Sequence, residues 1–309
     1  MLGINLFLAW QYHPMCTFYV VVFGNDHTLV GWLLENFRGA IERGFLVAGV
    51  CELDTWNAPV AKNSSHVFAI TMESRQVTVS PPLYLINLDA NNIMNAQWLR
   101  TMFQTVDAAV KDPDLPKCHS WRGDDSGVTG RVGLFAETFK LVGGYDESLP
   151  YPSGGQDVEL PKRVGAATGK PIPWQSNTGQ KIGSAGYSLP NDPEDARRSL
   201  GAAKVCNVAD KFQHLRWGQM NTKNWEYVVA RGSITKANTD REWMDLGVTV
   251  SLVALPEETK EEETKEEETK EEETEEEAVT VLKLLTKLTW GAWRPREKHD
   301  LPKGQDTAP

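Results

Sequence analysis

Cysteine is scarce in this chain, and its spacing excludes two common kinds of site. The chain has 309 residues and four cysteines, which lie far apart and form no CxxC pair: Cys16, Cys51, Cys118 and Cys206. This spacing fits neither a zinc site nor a dense disulfide framework. We expect buried free thiols, and a single disulfide bridge is the alternative.

The chain also lacks long apolar runs and a basic leader segment. No stretch reaches the ~20 apolar residues that a membrane-spanning helix requires. The first residues, MLGINLFLAWQYHP, contain an apolar patch but neither a basic region nor a small-residue cleavage signal. The sequence as it stands therefore specifies no location.

Negative charge is abundant in one segment and nearly balanced elsewhere. Residues 257–277, EETKEEETKEEETKEEETEEE, hold 14 Glu and 3 Lys, a net charge of −11. The whole chain carries −10, which leaves +1 for all other residues. A nucleic-acid-binding surface needs a basic patch or stripe. We therefore expect no nucleic-acid partner.

Strand-like and helix-like segments alternate over the first 110 residues. Short runs rich in β-branched and aromatic residues occur at 17–23, 45–50 and 83–88, and segments with helical spacing occur at 28–44, 57–72 and 95–110. Such alternation is typical of parallel strands joined by crossover helices. The sequence predicts an α/β domain over residues 1–250, with a mostly parallel, Rossmann-like sheet flanked by helices.

Two further segments follow this domain. Residues 251–277 form an acidic linker with a repeated EEETK unit, which has no apolar stripe and is therefore either a solvated helix or a disordered linker. Residues 278–309 begin with AVTVLKLLTKLTWGAW (278–293), whose apolar positions 281, 284, 285 and 288 form one stripe of an amphipathic helix. The 278–293 helix can dock on the protein itself, on a protein partner or on a membrane surface.

An acid and two amides end the third predicted strand, LYLINLDANN (83–92). Asp89 and Asn91 would lie at the carboxyl end of this strand, where open α/β sheets bind their ligands. The alternative is an ordinary turn, because Asp and Asn hydrogen-bond their own backbone and tolerate turn geometry.

Two later stretches contain further candidate groups. Asp157 and Glu159 follow a Gly-Gly pair in GGQDVELPKR and open a predicted helix, where an acid is also favoured by the helix dipole alone. His214 precedes two asparagines in HLRWGQMNTKNW, and a purely structural histidine is its alternative.

Four stretches, taken in chain order, resemble the GT-A glycosyltransferases that use nucleotide-sugar donors. The likeness is greatest to family 2-like members with a galactosyltransferase-type C-terminal portion, and it covers roughly residues 15–230. The stretches are WNAPVAKNSSHVFA (56–69), NLDANN (87–92), GGYDE with GGQDVELPKR (143–163), and HLRWGQMNTKNW (214–225). The resemblance implies a GT-A fold, a UDP-sugar donor and a glycan or protein-linked acceptor.

The resemblance also implies a metal site. Asp89 and Asn91 would correspond to an acidic DxD-like motif, and His214 would complete the set of ligands. Oxygen ligands together with an imidazole suit Mn²⁺ or Mg²⁺. A cation that bridges the donor's diphosphate would stabilise the charge that develops on the leaving group.

Asp157 matches the catalytic carboxylate of the family, which implies a general base in an inverting displacement. General-base catalysis contributes about 10²–10⁴-fold. Gly154 and Gly155 would let the backbone approach the sugar, because a Cβ would obstruct it. Glu159 is expected to contact the sugar or the acceptor. Lys62 and Asn63 are expected to contact the donor, and an exposed, uninvolved lysine is the alternative at position 62.

Three departures from the family pattern favour a second function. Asn91 stands where a second acid is usual, and Gln156 stands where a glutamate is usual, so the site loses negative charge. Residues 17–23 resemble the family's second strand, and nothing before them resembles the first. The alternative is therefore a catalytically silent GT-A domain that binds glycans or nucleotides. A third hypothesis is an interaction protein that works through the EEETK linker and the 278–293 helix.

The missing first strand also bears on location. We expect either that the sequence is truncated at its N-terminus or that the sheet has lost an edge of its donor pocket. A membrane anchor lost with that strand would place the protein in the Golgi or ER lumen, and without one the protein would be cytoplasmic.

Overall fold

A computed structural model of the chain describes most of the predicted domain, and all described residues belong to the unit Met1–Leu255. The described residues are 2–13, 15–24, 27–53, 55–75, 82–88, 94, 96–121, 131–170, 174–175 and 217–255. Within them, no helix combines the length and apolarity that crossing a membrane requires. Residues 256–277 of the predicted linker and the 278–293 helix lie outside these residues, so their predicted roles stay predictions, whereas residues 251–255 belong to the described unit.

Helices and strands alternate in the first part of the chain, as the sequence predicts. The elements are α1 (Leu2–Ala9), β1 (Phe18–Phe23), α2 (His27–Glu42), β2 (Leu46–Cys51), α3 (Ala58–Ser74), β3 (Tyr84–Ile86) and α4 (Ala96–Lys111). Local chemistry explains the start of α3, because the Asn57 side chain accepts a hydrogen bond from the Val60 amide at 3.2 Å and Pro59 lies in the first turn.

The second part of the chain contains shorter elements and two helices that carry candidate site residues. The elements are β4 (Cys118–Trp121), β5 (Arg131–Phe135), α5 (Ala136–Val142), α6 (Gln156–Thr168), β6 (Trp174–Gln175), α7 (Trp217–Arg231) and β7 (Ser251–Leu252). The predicted helix that begins near Asp157 is α6.

The described strands form two mixed sheets and not one mostly parallel sheet. In the first, β1 pairs with β2 in parallel and β7 pairs with β2 antiparallel. In the second, the order is β3-β5-β4-β6, and β5 runs antiparallel to both neighbours. Only residues 122–130 separate β4 from β5, whereas a parallel crossover needs a dozen or more residues. The α/β class is confirmed, and the mostly parallel sheet is not what these strands build.

Two apolar cores lie on opposite faces of both sheets. Phe18 of β1 and Tyr84 of β3 pack in one core, and their neighbours in sequence, Tyr19 and Leu85, pack in the other. Side chains of a strand alternate between its two faces. Because β1 and β3 divide their side chains between the same two cores, the two sheets belong to one layer.

Three of the cysteines hold free thiols in the described residues. Cys51 ends β2 and Cys118 begins β4, and both are buried, whereas Cys16 is half-buried. Burial raises the pKa of the Cys16 and Cys51 thiols to about 11. Both therefore stay protonated near neutral pH. Cys206 lies outside the described residues.

Candidate functional site

The predicted site residues divide into two groups. Asp89, Asn91 and His214 lie outside the described residues, so the predicted metal site stays a prediction. Among the residues that the structure does describe, no three His, Cys, Asp or Glu side chains are arranged to hold a metal ion. The remaining six are all described: Lys62, Asn63, Gly154, Gly155, Asp157 and Glu159.

Helix α3 reaches the start of α6 through a buried ion pair. Lys62 Nζ donates to Asp157 Oδ1 at 2.6 Å, although 95 residues separate the two in sequence. Their side chains are only 10% and 11% exposed. Lys62 is therefore buried and paired, which removes the alternative of an exposed, uninvolved lysine. Each charge depends on the other, because a buried charge that loses its partner is strongly destabilising.

The second oxygen of Asp157 makes a weaker contact. Gln156 Nε2 donates to Asp157 Oδ2 at 3.4 Å, and within the described residues Gln156 Oε1 is buried without a hydrogen-bond partner. Asp157 lies in the first turn of α6, where the helix dipole also favours a carboxylate. A purely structural role for Asp157, as an acid stabilised by the helix dipole, is compatible with this geometry, and so is a chemical role.

A tight turn before α6 fits against the backbone of α7. Gly154 and Gly155 have φ of +86° and +80°, a conformation that side chains other than glycine rarely adopt. A Cβ on Gly154 would lie 2.5 Å from the Asn221 Cα. The close approach that Gly154 makes here is to α7, so the predicted approach to a sugar stays a prediction.

Asn224 of α7 holds the same turn by its amide group. Its Oδ1 accepts a hydrogen bond from the Tyr151 amide at 3.0 Å. Its Nδ2 donates, at 2.8–3.0 Å, to the carbonyl oxygens of Tyr151, Ser153 and Gly154. Asn224 is fully buried, so these bonds replace the water that the loop backbone would otherwise need.

Glu159 belongs to a buried chain of charges. Arg163 binds both of its carboxylate oxygens, with Nε–Oε1 at 2.8 Å and Nη2–Oε2 at 2.7 Å. Arg231 at the end of α7 adds Nη2–Oε1 at 3.2 Å, and its Nη1 donates to Asp146 Oδ2. Because both oxygens of Glu159 are engaged by guanidinium groups, its geometry favours a link between helices over the predicted sugar contact.

Asn63 is bonded to the GGYDE loop (143–147). Its Oδ1 accepts from the Tyr145 amide at 2.7 Å, and its Nδ2 donates to the Tyr145 carbonyl at 2.9 Å and to Glu147 Oε1 at 2.7 Å. Glu147 also accepts from Arg241 Nη2 at 2.6 Å. Asn63 therefore joins α3 to this loop, and the described contacts give it a structural role beside its predicted contact with the donor.

The surroundings lower the pKa of two titratable groups near the site, His66 and Asp146. Burial, and then the nearby Lys62 ammonium, lower the pKa of His66 to about 3, so its imidazole is neutral near pH 7. Burial alone would raise the pKa of Asp146. Hydrogen bonds from Ser148 and the pairing with Arg231 outweigh burial and hold that pKa below its ordinary value.

Sequence reasoning missed Arg163, Arg231 and His66. The Glu159–Arg163 pair has the i,i+4 spacing of a helical ion pair, so that signal was present. Arg231 lies 72 residues from Glu159 and had no local signal. His66 is stacked on Tyr145 with ring centroids 5.9 Å apart, a contact that only the folded chain creates.

The chain matches no family model, no curated protein and no solved structure.

Proposed function

We propose that this protein is a metal-dependent glycosyltransferase that moves a sugar from a UDP-sugar donor to a glycan or protein-linked acceptor. The observation that carries the proposal is the 2.6 Å contact between Lys62 and Asp157. These residues come from two of the four family-like stretches, and Asn224 of a third stretch holds the turn before Asp157. A chance likeness in sequence gives no reason for such stretches to meet in one buried cluster.

The finer fold in this proposal is GT-A, with one sheet between helical layers. The single layer formed by the two sheets supports it, because β1 and β3 divide their side chains between the same two cores. The parallel pairing of β1 with β2 across helix α2 supports it as well. Parallel strand–helix–strand units are the building blocks of doubly wound domains.

Asp157 is the proposed general base. Its pairing with Lys62 presents it as a carboxylate, the form that accepts a proton. The acceptor hydroxyl oxygen would attack the anomeric carbon while its proton passes to Asp157 and the bond from that carbon to the UDP oxygen breaks. UDP leaves with the bonding electron pair, and the anomeric configuration inverts.

The proposed cation is Mn²⁺ or Mg²⁺, held by Asp89, Asn91 and His214. One carboxylate, one amide oxygen and one imidazole form a donor set that fits either ion. Asp157 and Glu159 are not proposed as ligands, because lysine and arginine already neutralise them. When bound, the cation would act as a Lewis acid on the diphosphate.

Release of UDP from a set of UDP-sugars tests the enzymatic proposal. The full chain is assayed with Mn²⁺ and glycan acceptors, and Asp157→Asn is compared with Asp107→Asn. Asp107 also pairs with a lysine at 2.6 Å but is exposed on α4, which makes it a matched control. Loss of the base should lower turnover by about 10²–10⁴-fold, and the control should keep wild-type turnover. A full chain that releases no UDP from any donor contradicts the proposal.

A second candidate is a catalytically silent GT-A domain that binds a glycan or nucleotide. It is favoured by the charge balance of the site, where lysine or arginine pairs with each of four carboxylates: Asp146, Glu147, Asp157 and Glu159. Asn91 and Gln156 remove further negative charge. Calorimetry of UDP binding separates the candidates, because binding that is insensitive to Mn²⁺ supports the silent domain and Mn²⁺-dependent binding supports the enzyme.

A further inference from the structure

Helix α7 is attached to the candidate site largely through polar side chains. Asn224 and Arg231 are seven residues apart, about two helical turns, and therefore share one face of α7. Lys162 of α6 adds a contact from another side, with its Nζ 3.9 Å from the centre of the Trp225 ring. Met220 is buried, but among the described residues the two apolar cores include none from α7.

Asn224 and Arg231 bond to α6 and the loop before it, on either side of Asp157 in sequence. Asn224 bonds to the loop that leads into the helix, at the Gly154 carbonyl. Arg231 bonds to Glu159, two residues after Asp157, at 3.2 Å. Helix α7 thus holds the first turn of α6 at two points, one before Asp157 in sequence and one after it.

We infer that Arg231 is a positioning residue for Asp157. The inference rests on the proposed function in taking Asp157 as the general base. Arg231 touches no reacting group; it acts through Glu159 on α6 and through Asp146 on the GGYDE loop, whose side chains are 3% and 1% exposed. It is the one described side chain that bonds both carboxylates, so it joins the loop to the helix that carries the base.

Loss of Arg231 should displace α6 without unfolding the chain. Arg163 still binds both oxygens of Glu159, so that carboxylate keeps a buried counter-charge. Asp146 keeps two hydrogen bonds from Ser148, at 2.9 Å from the amide and 2.6 Å from the hydroxyl. These partners remain and favour a folded chain, while the link that Arg231 makes from α7 to Asp146 and Glu159 is lost. The contacts of Asn224 and Trp225 still join α7 to the start of α6 and to Lys162.

Kinetics of Arg231→Met and Arg231→Lys test this inference. A misplacement of about 1 Å in a catalytic group costs up to about 10²-fold in rate, so Arg231→Met should lower kcat by about 10–100-fold with little change in donor KM. Arg231→Lys retains one charge and should recover part of kcat. Added guanidinium should also restore part of kcat to Arg231→Ala, because it refills the same cavity.

Arg241→Met is the matched control, because Arg241 also pairs with a carboxylate of the GGYDE loop, Glu147, but has no described bond to α6. It should keep wild-type kcat. A wild-type kcat in Arg231→Met, or an equal loss in Arg241→Met, overturns the inference.

Hydrogen exchange at residues 151–160 provides a readout that needs no turnover. The amides there should exchange faster in Arg231→Met and Arg231→Lys than in the wild type, and at wild-type rates in Arg241→Met. If the wild type turns over no donor, the proposed function fails, and exchange still decides whether Arg231 holds this segment. Unchanged exchange in both Arg231 variants overturns the positioning role.

Discussion

Asn63 and Tyr145 exchange two hydrogen bonds across 82 residues of sequence, as one residue of a β-ladder does with its partner. The amide oxygen of Asn63 accepts from the Tyr145 N–H, and the amide nitrogen donates to the Tyr145 carbonyl. The same nitrogen donates to Glu147. The Asn63 side chain therefore hydrogen-bonds both backbone groups of a buried loop residue, as a neighbouring strand would.

Asn63→Asp should destabilise the protein more than Asn63→Ala. Alanine removes the acceptor of the Tyr145 N–H, at about 1–3 kcal/mol for a buried group, whereas the Tyr145 carbonyl keeps its hydrogen bond from Asn238 Nδ2 at 2.7 Å. Aspartate cannot donate and places a second carboxylate against Glu147, a buried uncompensated charge that costs about 3–5 kcal/mol. Urea unfolding of both variants measures the difference. Equal losses would show that the contact with Glu147 contributes nothing.

A double-mutant cycle should show strong coupling between Lys62 and Asp157. Lys62→Met and Asp157→Leu each remove one partner of the buried ion pair, at about 3–5 kcal/mol. The double variant Lys62→Met/Asp157→Leu replaces the pair with apolar groups of similar size and should be more stable than either single variant. Denaturant midpoints provide the measurement. Losses that simply add would contradict a direct ion pair.

Acid should destabilise the protein through His66. Its folded-state pKa of about 3 lies below the ordinary value of 6.5, so the unfolded state binds more protons between these values. The stabilisation from neutral His66 is therefore complete above pH 6.5 and is lost as pH falls towards 3. Each pH unit in that window costs about 1.4 kcal/mol.

His66→Phe removes this titration and keeps an aromatic ring beside Tyr145 and Phe139. Between pH 7 and pH 5, the variant should lose about 2 kcal/mol less unfolding free energy than the wild type. His119, whose pKa burial and then Lys117 lower to about 4, adds the same acid dependence to both proteins, so it cancels from the difference between them. Parallel stability curves for the two proteins would rule out His66 as the cause.

Gly154→Ala should be more harmful than Gly169→Ala. Both glycines have positive φ, so each substitution costs about 1–2 kcal/mol of backbone strain. A Cβ at Gly169 meets nothing within 4 Å, whereas one at Gly154 meets the Asn221 backbone at 2.5 Å. Gly154→Ala should therefore also displace α7 and reduce UDP release. Thermal unfolding and UDP release are measured for both variants, and matching results would contradict the packing of α7 on this turn.

Local patterns predicted the elements from β1 to α4, because each depends on nearby residues. Apolar spacing located α2 and α3, and the Gly-Gly-Gln-Asp stretch located the start of α6. The antiparallel pairing of β5 depends on β3 and β4, which no single segment encodes. The i,i+4 spacing of Glu159 and Arg163 predicts their ion pair. The binding of the Glu159 carboxylate by both Arg163 and Arg231 arises only after α6 and α7 meet.

The family resemblance identified groups that meet but not every contact they make. Lys62 was expected to contact the donor and Asp157 to take a proton from the acceptor, and the two bind each other. Asn63 was expected to contact a donor and bonds to Tyr145, because a buried loop must satisfy its backbone. Asp89, Asn91 and His214 lie outside the described residues, and the metal site they were predicted to form stays a prediction.

The buried thiols make the two sheets separately observable. Cys51 ends a strand of one sheet and Cys118 begins a strand of the other, and both sulfurs are shielded from solvent. An alkylating reagent reaches each thiol only when its own strand separates from the sheet. The labelling rates of Cys51 and Cys118 therefore report the local opening of the two sheets separately. Equal labelling rates would mean that the two sheets open as one cooperative unit, and unequal rates would identify the sheet that opens more readily.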